Sequence, residues 1–319
     1  MKRVLIFGGS TGVVAGQVAN ALATTSWATP IFVDQVRPAS LHAAVQHIPI
    51  KITDPAVMIS ALDGVDTIVS CVESNPSLIG DSAAALFSAI RTRSDVRVVL
   101  LSSMAVYGSA TGVVDEHAAV VEDNPYSNSR VKAEILAAAH ANAICLRSGV
   151  EYGPGSERWT RMIGRLLLAR RLGDLGAAGD GFCNLLFMHD LVTAIVNAVQ
   201  LQGTHHRIFN LCSKERLTWN EYFVRYAQAL HAVPVKRIGS RRLQIESKLA
   251  IPLKLAELGL GSSLANRLHL PAPITASMMS VFNQRIALDV SNTERALGMQ
   301  WTPITTGLQA AAEWVRTTQ

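Results

Sequence analysis

The segment that most limits how this chain can fold is its opening one, VLIFGGSTGVVAGQVANAL over 4–22. An unbroken apolar run reads as a strand buried on both faces, and it turns through glycines straight into a helical pattern. Gly9, Gly12 and Ala15 stand three apart in that turn. A pyrophosphate needs unpaired N–H groups at a helix N-terminus and a backbone that side chains do not shield. Gly9 permits the tight turn, Gly12 lets the backbone come close, and Ala15 leaves room for helix-on-strand packing. Ser10 and Thr11 add hydroxyls. The spacing predicts a dinucleotide site, against the plainer alternative of a flexible strand–helix turn.

The rest of the first half keeps this rhythm. Strands are expected at 3–7, 30–34, 48–52, 65–71, 96–103 and 143–148, with helices at about 54–62, 78–92 and 126–141 between the later ones. Such alternation predicts parallel βαβ units covered on both faces. Past Gly153 helices near 157–172, 190–201 and 218–231 mix with isolated strand-like pieces, of which RIFNL (207–211) is the clearest. The fold class is therefore α/β: a Rossmann-type doubly wound parallel sheet with a smaller, mostly helical C-terminal substrate lobe. Residues 1–153 form the dinucleotide-binding part, with returning pieces near 184–212, and 154–319 the interleaved substrate-binding lobe. The leucine-rich stretch from Ser240 to Pro273 fits helices joined by loops.

Composition narrows the function. The chain has 319 residues, 49% of them hydrophobic, and a mean hydropathy of +0.24. Even so, no apolar run approaches the ~20 residues a membrane-spanning helix requires, and the start runs into glycines rather than a cleavage site. Four dispersed cysteines without a CxxC pair read as reduced thiols of a cytoplasmic protein. His189 and the pair His205–His206 lack metal spacing, so no metal is expected. The net charge of +5 is scattered, without an aromatic-interleaved patch, so an anionic small molecule is a better partner than nucleic acid.

Asp34, at the end of the second strand, can accept from both adenosine ribose hydroxyls and would repel a 2′-phosphate, which favours NAD. Arg37, three residues on, could neutralise such a phosphate, so NADP stays open. Ser103 ends the fifth strand, where a parallel sheet delivers residues to its ligand crevice. Tyr126, in NPYSNSR at a helix start, sits where the dipole and a nearby cation favour phenolate. A tyrosine so tuned moves the proton in hydride chemistry at a carbon bearing oxygen, while a serine hydroxyl holds that oxygen in line.

GGSTGVVA, SSMAVYG (102–108), YSNSRVKAE, LRSGVEYGPG (146–155), GDGFCNLLFMHDL (179–191) and ALDVSNTERALGMQWTP (287–303) occur in the order seen in the extended short-chain dehydrogenase/reductases, also called NAD-dependent epimerase/dehydratases. The chain resembles that family over essentially its whole length. The resemblance implies that Ser103 polarises the substrate oxygen and Tyr126 donates and accepts the proton. Arg130 falls on the lysine position of the family's YxxxK pair, which bonds the nicotinamide ribose. The cofactor shell it implies takes in Gly9, Ser10, Thr11, Gly12, Val13, Val14, Asp34, Gln35, Arg37, Ile52, Cys71, Val72, Tyr126, Arg130 and Val150. It also implies a homodimer through the alanine-rich helices at 78–92 and 126–141.

Three departures bear on function. Arg130 keeps the positive charge of the lysine but is planar and cannot pass a proton as an ammonium can. Lys132 lies on another helix face and does not substitute for it. Val150 and Cys183 stand where nucleotide-sugar members carry an asparagine and an arginine, and Lys51 stands where an aspartate often lies beside the adenine. Of Val150, Phe182, Leu185, Leu186, Phe187 and Met188 most are expected to pack the second lobe's core, while an apolar pocket built from the rest would suit a less charged, partly hydrophobic alcohol or ketone. Glu151 reads as a third acid/base or as an ion-pair partner. The expected activity is thus NAD(P)-dependent alcohol–carbonyl interconversion on a non-nucleotide, partly apolar small molecule. The alternatives are a nucleotide-sugar epimerase or dehydratase, and a decayed dinucleotide-binding or sensing protein.

Overall fold

A computed structural model describes residues 1–8, 13–73, 75–202, 207–239, 241–243 and 274–318. The turn residues Gly9, Ser10, Thr11 and Gly12 lie outside the described residues, as do His205, His206 and all of the leucine-rich stretch except 241–243.

Seven parallel strands form the central sheet: β1 (Lys2–Gly8), β2 (Ala28–Val33), β3 (Gln46–Ile48), β4 (Thr67–Cys71), β5 (Arg97–Ser103), β7 (Ala143–Ser148) and β10 (Ile208–Leu211). Their order is β10-β7-β5-β4-β1-β2-β3. The chain leaves β1 toward β2 on one side and resumes with β4 on the other. That reversal opens a crevice beyond the carboxyl ends of β1 and β4, the usual ligand position in such sheets. Helices α1 (Val13–Ala23) and α6 (Met188–Gln200) cover one face. Helices α2 (Pro55–Ala61), α3 (Pro76–Ala89) and α4 (Pro125–Ala138) cover the other. The side chains between are mostly Val, Ile, Leu and Ala, as strands apolar on both faces require.

The expected third strand at 48–52 is displaced. Pairing with β2 stops at Ile48, and Lys51 and Ile52 lie in the irregular segment that follows. The turn ends where Asp54 caps α2, its side chain accepting from the Ala56 and Val57 amides with proline at the first helical position. That cap pulls the chain out of the sheet early.

Beyond β7 a second core gathers around α7 (Trp219–Ala229), α5 (Ile163–Leu168) and the C-terminal helix Ile304–Thr317. The helix expected over 157–172 begins as a π-helical stretch, Glu157–Met162, and ends at Leu168. Two short parallel ladders absent from the strand expectations join this region to the sheet. One pairs β8 (Val150–Tyr152) with β9 (Leu185–Phe187). The other pairs β6 (Gly112–Val114) with Ile286–Leu288. Gly149 permits the first: a Cβ there would lie 2.2 Å from the Asn184 carbonyl oxygen. Among the described residues no helix is long and apolar enough to cross a membrane.

Candidate active site

The sequence NPYSNS dictates where Tyr126 stands. Asn124 caps α4, its side chain accepting from the Tyr126 and Ser127 amides at 3.0 Å each. Ser127 Oγ returns the bond by accepting from the Asn124 amide at 3.1 Å. This capping box, with Pro125 at the first position, starts the helix one residue before the tyrosine. Tyr126, Arg130 and Glu134 then follow four apart along the side of α4 that faces β5.

Arg130 answers the question its identity raises. The residue is 3% exposed. Nη1 donates to the Leu101 carbonyl of β5 at 2.6 Å, and Nη2 donates to the Tyr126 hydroxyl at 3.2 Å. The cation is therefore pinned to the sheet and aimed at the phenol, while Nε is buried without a partner. Burial works against its charge, but the Tyr126 contact, then the charges of Glu73 and Glu151, outweigh it and hold the guanidinium above its ordinary value. Lys132 is exposed on another face.

Ser103 closes β5 and is 8% exposed. Its Oγ accepts from the Ala105 amide at 3.2 Å, capping the 3-10 turn Met104–Tyr107. That bond uses a lone pair and leaves the hydroxyl proton for a ligand. The strand beneath is tied down by a buried polar network. Ser102 Oγ donates to Glu134 Oε1. Arg147 of β7 donates to Glu134 through Nε and Nη2, at 3.1 and 2.7 Å to opposite oxygens, and through Nη1 to the Tyr107 hydroxyl at 2.9 Å. The Tyr107 hydroxyl in turn donates to Asn210 Oδ1 at 2.6 Å. Burial opposes the charge on Arg147, yet the Glu134 bonds and charge prevail and raise its value. A paired, fully bonded charge is the arrangement a buried ion needs. The network links β5, β7, β10 and α4, so it fixes Ser103 relative to Tyr126.

At the cofactor end, Asp34 follows β2 with its carboxylate 7% exposed for the residue and held above the ordinary range by burial, against amide bonds from Gln35 and Val36. The Gln35 amide donates to Oδ1 at 2.6 Å. A carboxylate desolvated at the rim of the crevice, with lone pairs to spare, fits the two hydroxyls of an adenosine ribose. Arg37 is otherwise engaged: Nη1 donates to the Val45 carbonyl and Nη2 to the His42 carbonyl, both at 3.0 Å. Its fork, occupied by backbone, supplies little to a 2′-phosphate. Gln35 is exposed and Val13 opens α1 at the surface, whereas the side chains of Val14, Ile52, Cys71, Val72 and Val150 are buried in the cores. These five can meet a cofactor only through backbone or a side-chain edge.

The six residues expected around an apolar pocket divide. Val150, Leu185, Leu186 and Met188 are buried in the cores, and only Phe182 and Phe187 stay partly exposed. Cys183 is buried with its thiol donating to the Leu217 carbonyl at 3.2 Å. Packing, rather than a pocket, accounts for most of this stretch. Glu151 is half-buried, and its charge bears on Glu73, just past β4, whose carboxyl is held well up first by burial and then by Glu151. Sequence reasoning passed over Glu73, Glu134 and Arg147. Glu134 carried a usable signal, the same four-residue step that joins Tyr126 to Arg130, while Glu73 and Arg147 gave none until strand register brought them in.

A model of the NAD dependent epimerase/dehydratase family matches residues 4–212. No curated protein matches the chain. Among solved structures, dTDP-glucose 4,6-dehydratase from Bacillus anthracis in complex with NAD superposes with a TM-score of 0.76 at 15% identity, covering 100% of this chain and 98% of that one. UDP-glucose 4-epimerase from Thermotoga maritima with UDP-glucose gives 0.74 at 14%, covering 99% of each chain. The Bordetella bronchiseptica enzyme WbmH in complex with NAD+ gives 0.74 at 18%, covering 100% and 99%. At these identities the likeness is one of fold.

Proposed function

Because the chain belongs to the NAD dependent epimerase/dehydratase family, we propose that it carries out reversible hydride transfer between NAD and a secondary alcohol of a nucleotide-linked sugar. The observation that carries the reading is the Tyr126–Arg130 contact at 3.2 Å, anchored to β5 through Leu101. Bound NAD supplies the hydride acceptor and donor. Asp34 would hold the adenosine ribose and Arg130, whose Nε is without a partner, the nicotinamide ribose. Ser103 donates to the substrate oxygen and keeps it in line with Tyr126. When the alcohol is oxidised, the Tyr126 oxygen, as phenolate, takes the hydroxyl proton, and the adjacent guanidinium offsets the negative charge that oxygen carries before the transfer. Residues 154–319, apart from the pieces that return to the sheet, form the substrate lobe in this reading.

The substrate class rests on three supports. The residues that pointed to an apolar, non-nucleotide ligand are mostly core. Arg158 is exposed, stands 4.8 Å over the Trp159 ring, and its charge reaches Tyr126, a placement suited to an anionic group. The B. anthracis and T. maritima structures are named for dTDP-glucose and UDP-glucose chemistry and match the lobe as well as the sheet.

The test is to give the purified protein NAD with UDP-glucose or dTDP-glucose, or with non-nucleotide secondary alcohols, and follow the sugar carbons by NMR. Turnover of a nucleotide sugar, lowered about 10²–10⁴-fold by Tyr126→Phe with NAD affinity little changed, is expected. Turnover of non-nucleotide alcohols alone removes the substrate class, and absence of affinity for NAD removes the whole reading.

The same proposal includes a homodimer through α3 and α4. The two helices pack side by side within the chain, and Ile135 of α4 is 61% exposed. Sedimentation is expected to give two chains for the native protein and one for Ile135→Glu.

A further inference from the structure

Strand register gathers three polar side chains beneath the proposed reacting serine. Ser102 of β5 pairs with Arg147 of β7, and Ser103 pairs with Ser148. Paired residues of a ladder send their side chains to the same face of the sheet. Ser102 and Arg147 accordingly both meet Glu134 of α4. Ser102 Oγ donates to Glu134 Oε1, and Arg147 donates to the same carboxylate through Nε at 3.1 Å and Nη2 at 2.7 Å. The Ser148 hydroxyl donates to the Ser102 carbonyl at 3.2 Å. All four residues are buried. Apolar side chains of similar volume often match or exceed a buried ion pair in stability, so stability alone does not explain why the pair stands here.

We propose that Ser102 and Glu134 are positioning residues: together with Arg130 they make a two-point clamp that sets the height and rotation of α4, and so of the Tyr126 hydroxyl, against Ser103. The catalytic meaning of the clamp rests on the hydride-transfer reading given above. Arg130 Nη1 holds the Leu101 carbonyl at 2.6 Å. Glu134, one helical turn further on, holds Ser102, the next residue of the strand. A helix tied to a strand at one point can still turn or slide about that bond. A second tie about 6 Å along the axis removes both freedoms. Tyr126 lies one turn before Arg130 in the same helix and moves with it. Ser103 is held from its other side too, because the turn that it caps ends at Tyr107, whose hydroxyl accepts from Arg147 Nη1 at 2.9 Å. The two serines therefore divide the work. Ser103 keeps its hydroxyl proton for a ligand, and Ser102 commits its own to the helix. Ser102 and Glu134 lie buried beneath the edge rather than in the crevice, so their loss acts on turnover and not on binding.

Replacing the network by apolar side chains separates position from stability. The triple variant Ser102→Ala, Glu134→Leu, Arg147→Met is expected to melt no lower than the native protein. Its turnover of the nucleotide sugar should nevertheless fall about 10²-fold, the scale of an ångström of misplacement, with KM and NAD affinity within about threefold of native. Turnover, KM and NAD affinity worsening together with the melting temperature would make the network structural and overturn the clamp. Ser102→Ala by itself leaves the ion pair in place and serves if the triple variant does not fold. It should lose about tenfold in turnover, and Ser102→Thr, which keeps the hydroxyl, should recover it. Equal turnover in native, Ser102→Ala and Ser102→Thr protein overturns the clamp. Val199→Ala, in the core at the far end of α6, shows what lost stability does alone and should turn over as native does. A readout without substrate keeps the clamp apart from the function reading. In NMR spectra of protein carrying 13C-labelled tyrosine, with Tyr126→Phe to assign the signal, the Tyr126 resonance should move or broaden in Ser102→Ala and in the triple variant. It should match native in Val199→Ala. An unmoved resonance sinks the clamp alone, and a moved one in a protein that turns over no nucleotide sugar sinks the function reading alone.

Discussion

The sheet edge and the second lobe are built by different means. Around the sheet the core is aliphatic, with Phe7, Phe32 and Phe209 its only fully buried phenyl rings among the described residues. Precision there comes from backbone register and from polar bonds such as Arg130 to Leu101 and Arg147 to Glu134. In the lobe, Trp219 lies 4.8 Å from Phe282 and 5.7 Å from Phe223 between ring centroids, and Tyr222 stacks on Tyr226 at 5.6 Å. Large rings, four of them along α7 with Phe282 packed against them, hold that region together in place of a repeating ladder. The contrast teaches where each kind of function can reside. Ladder geometry fixes the groups at the sheet edge in place, whereas a ring-packed lobe can change its outer residues without disturbing them.

That separation can be broken experimentally. Trp219→Ala empties the centre of the ring cluster and should cost about 3–5 kcal/mol of stability. If the two regions are as independent as their cores, NAD affinity measured by calorimetry in the cold should stay within about threefold of native. A parallel collapse of affinity would show that the lobe supports the sheet edge after all. A smaller effect is expected at the edge itself. Arg130→Lys keeps the charge but cannot hold both the Leu101 carbonyl and the Tyr126 hydroxyl with a planar fork. Turnover should fall by about tenfold, the scale of one charged hydrogen bond. A gain would instead mark the arginine as a defect in the site.

The smallest effect sharpens the edge further. The Glu73 carboxyl is held up by burial first and then by Glu151, so the folded protein binds that proton more tightly than the unfolded chain. Its contribution to stability is whole below the ordinary glutamate range and is lost as pH rises through the raised value. Glu73→Gln escapes the loss. Thermal melts should therefore show the variant gaining on the native protein from pH 5 toward pH 9. A difference that stays flat across that range would mean Glu73 is not held protonated.

Sequence reading reached furthest where a local signal had one physical meaning. Asn124, Pro125 and Ser127 announce the start of α4 and with it the position of Tyr126, and the four-residue step carries on to Arg130. A local signal with two meanings needed burial to settle it: the run LLFM at 185–188 reads mostly as core with pocket as the alternative, and Leu185, Leu186 and Met188 are buried in the core. The third strand was misplaced because IPIKI alternates well enough for a strand, while the Asp54 cap that ends it acts from outside the run.

Apolar strands, capping residues and helical spacing alone determined that this chain makes a parallel sheet with a tyrosine and a cation on one side of a helix, because these depend on neighbours within a few residues. Only the tertiary structure decided that Glu134 is bound by Arg147, that Tyr107 meets Asn210, and that Arg37 is occupied by the carbonyls of His42 and Val45. Those pairings join residues from different strands and loops, and nothing in the order of the chain says which of them will come to lie at the same height on the sheet.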